Sequence, residues 1–164
     1  MISHPISVLA AQVYLGGQSI GINLDYHGVM ITGGYNIEVE GNNYNPLNDG
    51  YQIGDLIIKV NDSSIESITQ LLDEVEKIIQ NNKTITLTLQ RNNQEFTKRL
   101  YFQEKNGKFS TGLYIQDSLS GIGTMTYYDP STQSFGALGH IMSDTSLSED
   151  TIFKDGKIYN SYIK

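Results

Sequence analysis

The sequence predicts a mainly β protein with one main helix, of α+β class. Three observations carry this. Short runs rich in Ile, Val, Leu and Thr are separated by Gly and Asn pairs. One segment, and one only, places its apolar residues at helical spacing. The aromatic content is dominated by 11 Tyr with no Trp, which favours strands beside so many β-branched residues.

The 164 residues leave room for one domain, or for one small domain and part of another. Hydrophobic residues make up 38% and charged residues 18%, a globular rather than a disordered balance. No apolar run is long enough to span a membrane. The short apolar segment Ile6 to Ala11 lacks a basic flank and makes a poor signal peptide. The net charge is −7 and the 11 Lys and Arg are scattered, which argues against a nucleic-acid partner. Cysteine is absent, which excludes disulfides, thiolate catalysis and cysteine-type zinc sites.

Strands are expected over Gln18 to Leu24, Gly28 to Thr32, Asp55 to Val60 and Thr84 to Arg91. The segment from Asn36 to Tyr51 reads as a polar loop around Pro46. The helix is set by Ile68, Leu71, Leu72, Val75, Ile78 and Ile79, which form one stripe. Ser67 and Gln70 supply a capping box, and Asn81-Asn82 is expected to end the helix. Arg91 to Gln94 is a turn, and Glu95 to Phe102 the partner strand. Lys105 to Ser110 is polar and is read as a flexible domain boundary. Strands then follow over Gly112 to Ile115, Gly123 to Tyr128 and Phe135 to His140, with a turn from Asp129 to Ser134. Thr151 to Phe153 and Lys157 to Tyr162 suggest a final hairpin around Asp155-Gly156.

In the first half, Gly54-Asp55-Leu-Ile-Ile-Lys-Val-Asn61 and the single helix before the last two strands resemble a PDZ domain of the bacterial protease-associated kind. Such a domain holds a peptide's terminal carboxylate on backbone N–H groups of a residue-apolar-Gly-apolar loop. Ser19-Ile20-Gly21-Ile22 has that form. An anion fits a nest of N–H donors, and glycine lets the backbone come close. The peptide then adds as a strand beside the loop. The family's short Pro-x-x-x-Ala-Gly helix is replaced here by Pro46-Leu-Asn-Asp-Gly50, which is expected to distort it.

In the second half, Gly112 to Ser118, Gly121-Ile-Gly-Thr-Met-Thr-Tyr-Tyr128 and Phe135-Gly-Ala-Leu-Gly-His140 with Ser143-Asp144 resemble the SpoIVB peptidase family. Gly16-Gly-Gln-Ser-Ile-Gly21 is similar to the start of that family's PDZ domain. The resemblance implies an N-terminal segment 1–13, a PDZ-like domain over 14–104 and an incomplete, chymotrypsin-like β-barrel over 105–164. It implies a serine endopeptidase of spore-forming bacteria, exported to the space between mother-cell and forespore membranes. That enzyme cleaves itself and a regulatory subunit of a membrane metalloprotease complex, which triggers a late sigma factor. Any membrane attachment would come from a segment not present here.

By motif position His140 matches the family's catalytic histidine. Its expected role is to take the serine proton and pass it to the leaving amine. The family's nucleophile, in a Gly-x-Ser-Gly-Ser-Pro type segment, and its acid have no counterpart here. Ser143, Ser146 and Ser148 lie too near His140 in sequence and lack a glycine-rich oxyanion loop. Ser143-Asp144 reads as a turn or helix cap. The chain alone is therefore expected to show no turnover, and residues from about 105 onward to be extended, poorly packed or laid against the PDZ-like domain. The alternative is a non-catalytic peptide-binding module that takes protein or peptide C-termini. No cofactor or metal is expected, since His4 and His27 lack partners at ligand spacing. His27 is expected to cap a β-turn in Asp25-Tyr-His-Gly28, and Asp25, Glu38 and Glu40 to form a solvated face.

Overall fold

The computed structural model describes residues 12–79, 84–105, 107–139 and 153–161. In chain order the first elements are β1 (Tyr14–Leu15), β2 (Ser19–Gly34), β3 (Ile37–Val39) and β4 (Asn42–Tyr44). A 3-10 turn (Pro46–Asp49), β5 (Leu56–Val60), β6 (Ser63–Ser64) and α1 (Ile68–Ile79) follow. Next come β7 (Thr84–Arg91), β8 (Gln94–Tyr101), β9 (Gln103–Lys105) and β10 (Lys108–Ser110). The last are β11 (Leu113–Asp129), β12 (Ser134–Gly139) and β13 (Phe153–Asn160). The protein is thus mainly β with one α-helix among the described residues, and the described strands close no barrel.

The chain divides into two compact units, each discontinuous in sequence. The first takes described residues 12–23, 120–139 and 157–161; the second takes 24–79, 84–105, 107–119 and 153–156. Strands β2, β11 and β13 contribute residues to both.

The second unit holds the core. Its sheet runs β2-β5-β7-β8, and α1 packs on β5 and β7. Val29, Ile31, Ile57, Val60, Ile85, Leu87, Leu89 and Leu100 from the strands meet Leu71 and Val75 of the helix. Each large aliphatic side chain buried in such a cluster contributes roughly 1.5–3 kcal/mol. Leu72 departs from the expected stripe and is 52% exposed. At 3.6 residues per turn it lies about 80° from the midpoint of Leu71 and Val75, at the rim of the buried face. The β7–β8 hairpin pairs Thr84 with Tyr101 through to Arg91 with Gln94. Asn92 and Asn93 close it with φ of 49° and 60°, the two left-handed positions of a type I′ turn.

Two expected strands, Gln18 to Leu24 and Gly28 to Thr32, are one strand, β2, and His27 caps no turn. Burial is the reason: Tyr26, Val29, Met30 and Ile31 are all in the core, so the chain runs straight through it. Gly28 makes this possible. Its φ is +141°, and a Cβ there would lie 2.6 Å from the Ile57 carbonyl oxygen. His27 itself is exposed. The segment read as a polar loop contains the β3–β4 hairpin and the 3-10 turn, with Gly50 at φ 89° closing it. Asn45 caps that turn by accepting the Leu47 N–H at 3.0 Å.

The boundary segment Lys105 to Ser110 is also structured, as the β9–β10 hairpin. Phe102 and Phe109 pack edge to face across it, with centroids 5.8 Å apart. Beyond it the chain rejoins the core: Leu113 and Leu119 are buried, and Ile115 packs against the cluster. Of the three arrangements expected from about 105 onward, Leu113 and Ile115 show the last: they pack against the cluster built by β2, β5, α1, β7 and β8. Tyr35 donates its backbone N–H to the Gly112 carbonyl at 2.7 Å, which brings this stretch to the C-terminal end of β2.

In the first unit, β1 pairs β11 with Tyr14 opposite Tyr128, and β12 pairs the other edge of β11. A bulge interrupts the second pairing between Met125 and Tyr127. The turn expected from Asp129 to Ser134 is present. The Asp129 carboxylate accepts the Ser131 N–H at 2.9 Å and its hydroxyl at 2.6 Å. Leu15, Ile122, Phe135 and Leu138 stay exposed. Gly121, Gly123, Gly136, Ala137 and Gly139 offer little apolar area to cover them.

Candidate functional site: the β2 edge

The geometry that bears most on function is the edge of β2. Successive carbonyls of a strand point to opposite edges. The Gln18 carbonyl accepts the Met125 N–H at 3.1 Å, and the Ser19 carbonyl accepts the Ser161 N–H at 3.2 Å. One edge of β2 therefore faces β11 and the other faces β13. The second edge is shared: β5 takes Val29 and Met30. Beside Gly21 lies Tyr159, whose Cβ would stand 3.9 Å from a Cβ added to the glycine. Farther along, the Phe153 ring stacks on Tyr26 at 5.4 Å between centroids. Ser161, Tyr159 and Phe153 thus meet Ser19, Gly21 and Tyr26 in reverse order, so β13 runs antiparallel to β2.

This places the four residues Ser19, Ile20, Gly21 and Ile22 at the start of β2 rather than in a separate loop. Ile20 is buried and the other three are half-buried. The glycines just before them are engaged as well: Gly16 and Gly17 donate their N–H groups to the Thr126 and Met125 carbonyls at 2.9 and 2.7 Å. The expected final hairpin is corrected by the same geometry. Asp155-Gly156 does not turn the chain, since Phe153 to Asn160 is one strand paired with β2.

A second contact fixes the β13 end. Lys154 forms an ion pair with Glu66, two residues before α1. The Lys154 ammonium and, more weakly, His27 hold the Glu66 carboxyl below the usual carboxylate range. Glu66 also belongs to the helix cap, where its N–H donates to the Gln70 side chain at 2.8 Å. Ser67 caps as expected, accepting the Gln70 N–H at 3.2 Å. The return bond of the expected box lands one residue early, on Glu66. A third capping group comes from far away: the Asp117 carboxylate of β11 accepts the Ile68 N–H at 2.9 Å. No local sequence signal marks that residue as a cap.

The Gly54-Asp55 motif has a structural task. Asp55 is fully buried, and its carboxylate takes Arg91 Nε at 2.5 Å and Nη2 at 2.7 Å, with the Gln52 N–H at 2.9 Å. The planar guanidinium suits this two-pronged contact, which holds the start of β5 to the end of β7. The Arg91 guanidinium is held above its ordinary value by that carboxylate. Beside it, Tyr51 is buried under the Lys98 ammonium, 5.5 Å from the ring centroid. Its hydroxyl has no hydrogen-bond partner among the described residues, and burial pushes its ionisation upward.

Glu38 and Glu40 lie on the rim of a pocket of about 680 Å³ that Glu104, Tyr101, Phe102 and Phe109 also line. Asp25 is half-buried in β2. Among the described residues no three His, Cys, Asp or Glu side chains converge on a possible metal position. No helix among them is long and apolar enough to cross a membrane. His140, Ser143, Asp144, Ser146 and Ser148 lie outside the described residues, as do His4 and the expected helix stop at Asn81-Asn82. The strand that leads to His140 is described up to Gly139, where it pairs with Gly123.

Strands β10 to β13 fall within a stretch that a family model matches. Residues 107–164 match the family model described as SpoIVB peptidase S55. The match takes in the Gly121 to His140 motif and begins beyond residues 14–104. It agrees with the resemblance read from the motif, so the C-terminal third of the chain is similar to SpoIVB peptidases. No curated protein matches the chain.

Proposed function

We propose that the chain is part of a SpoIVB-type serine endopeptidase, with a PDZ-like peptide-binding domain over 14–104 and the first part of the peptidase domain over 105–164. The match of residues 107–164 to the S55 peptidase model carries this reading. His140 is the general base. It receives the proton of a serine supplied by a Gly-x-Ser-Gly-Ser type segment and returns it to the leaving amine, while an acid from the same region orients the imidazole. Its targets are its own chain and the regulatory subunit of a membrane metalloprotease complex, cut in the space between mother-cell and forespore membranes. That cut triggers the late sigma factor.

A fluorophosphonate probe, which labels only activated serines, tests the proposal on the natural gene product. The expected result is labelling of one serine, lost in His140→Ala. A natural product that takes no label and leaves its own chain uncut overturns the peptidase reading. A second reading then stands: a peptide-binding module without turnover. The strand pairing along β2 favours it, since that edge accepts an extended segment by backbone bonds.

A further inference from the structure

We infer that the β2 edge selects extended peptides by an aromatic–basic pair, Tyr26 reading the aromatic residue and Glu66 the base, and that β13 is the internal segment such a peptide displaces. The inference rests on the peptide-binding reading of this edge and adds its specificity.

Four observations support it. Strand β13 lies on β2 as a peptide added by strand augmentation would, antiparallel and along the edge opposite β11. Two of its side-chain contacts come from consecutive residues: Phe153 stacks on Tyr26, and Lys154 pairs with Glu66. Those two partners come from different elements, one from β2 and one from the lead into α1, so together they define a register and not merely a surface. Finally, β13 is lightly held. Only Phe153 and Ile158 are even half-buried, and the other six residues are exposed, whereas β7 buries Ile85, Leu87 and Leu89. A strand that keeps most of its side chains in water contributes little apolar burial to hold itself in place.

Charge points the same way. Around the Glu66 site the base is supplied by β13 itself, and the chain as a whole carries −7. A partner with a Phe or Tyr followed by Lys or Arg, in an extended segment, reproduces both contacts. The intact chain presents its own copy at high effective concentration, so a free peptide competes with an intramolecular rival.

The test uses the full chain and a fluorescein-labelled peptide of the sequence Phe153–Asn160, read by anisotropy. The Lys154→Glu chain, altered at an exposed position, releases β13 by setting two carboxylates against each other. It is expected to bind the peptide about tenfold more tightly than the unaltered chain. A peptide carrying the same Lys-to-Glu change is expected to bind that chain about fivefold more weakly, and to regain the affinity on a Glu66→Lys chain, where the introduced lysine repels the chain's own Lys154 and β13 is again released. Amide exchange of β7 in each variant confirms that the core is folded. Equal affinity of altered and unaltered chains, or charge reversal without rescue, overturns the inference. Equal binding of a scrambled peptide overturns the aromatic–basic preference alone and leaves peptide binding intact. No binding of any peptide by the released chain removes both, while the fluorophosphonate result stands independently.

Discussion

The carboxylate of Asp117 accepts the backbone N–H of Ile68 at 2.9 Å across 49 residues of sequence. A residue of the peptidase-like stretch thus satisfies one of the four open N–H groups at the start of the only helix among the described residues. Its negative charge also suits the positive end of the helix dipole. Asp117→Ala is expected to lower stability by about 1 kcal/mol, and Asp117→Asn by less, since an amide oxygen still accepts. Urea unfolding followed by circular dichroism reads both values.

Asp55 and Arg91 form the one fully buried carboxylate contact among the described ion pairs. Removing the carboxylate leaves the guanidinium without its partner beside the core. Asp55→Ala is expected to cost about 3 kcal/mol or more. Asp55→Asn should cost less, because it still accepts the Gln52 N–H. Thermal unfolding of the two variants against the parent checks the order.

Tyr51 offers the opposite case. Its buried hydroxyl lacks a hydrogen-bond partner among the described residues, so folding strips it of water without return. Tyr51→Phe is expected to leave stability unchanged or raise it by about 1 kcal/mol. The ring contact with Lys98 is retained in the variant. A loss of more than 1 kcal/mol, read by the same unfolding assay, would show a partner for the hydroxyl.

The hold on β13 depends on pH through Glu66, whose carboxyl is held below its ordinary value by Lys154 and, more weakly, by His27. A carboxylate lowered in the folded state stabilises at every pH above the unfolded value, and that contribution is lost as pH falls through the folded value. Strand β13 is therefore expected to loosen only in the acid range, below the ordinary carboxylate value of 4.5. Glu66→Gln should remove the pH step, as followed by amide exchange at Phe153 to Asn160.

Much of the fold could be read from local residues, where local and global preferences agree. The α1 stripe and the β7–β8 hairpin are of this kind: Asn92-Asn93 suits a tight turn, and the flanking strands alternate toward one core. The misreadings arise where a local signal is overruled at a distance. Asp25-Tyr-His-Gly28 has turn composition, yet buried residues on both sides of Gly28 draw the chain straight. Asp155-Gly156 is a strong hairpin signal, but β13 finds its partner in β2. The capping role of Asp117 and the Glu66–Lys154 pair join residues 49 and 88 positions apart, which no spacing rule reveals. The S55 peptidase relationship, by contrast, was legible because its motif is continuous from Gly121 to His140.

The most direct measurement is the rate of self-cleavage of the natural full-length product, compared with His140→Ala. Cleavage by the parent is expected, with a loss of about a thousandfold or more in the variant and both proteins equally folded. Cleavage at the parent rate in His140→Ala would contradict it.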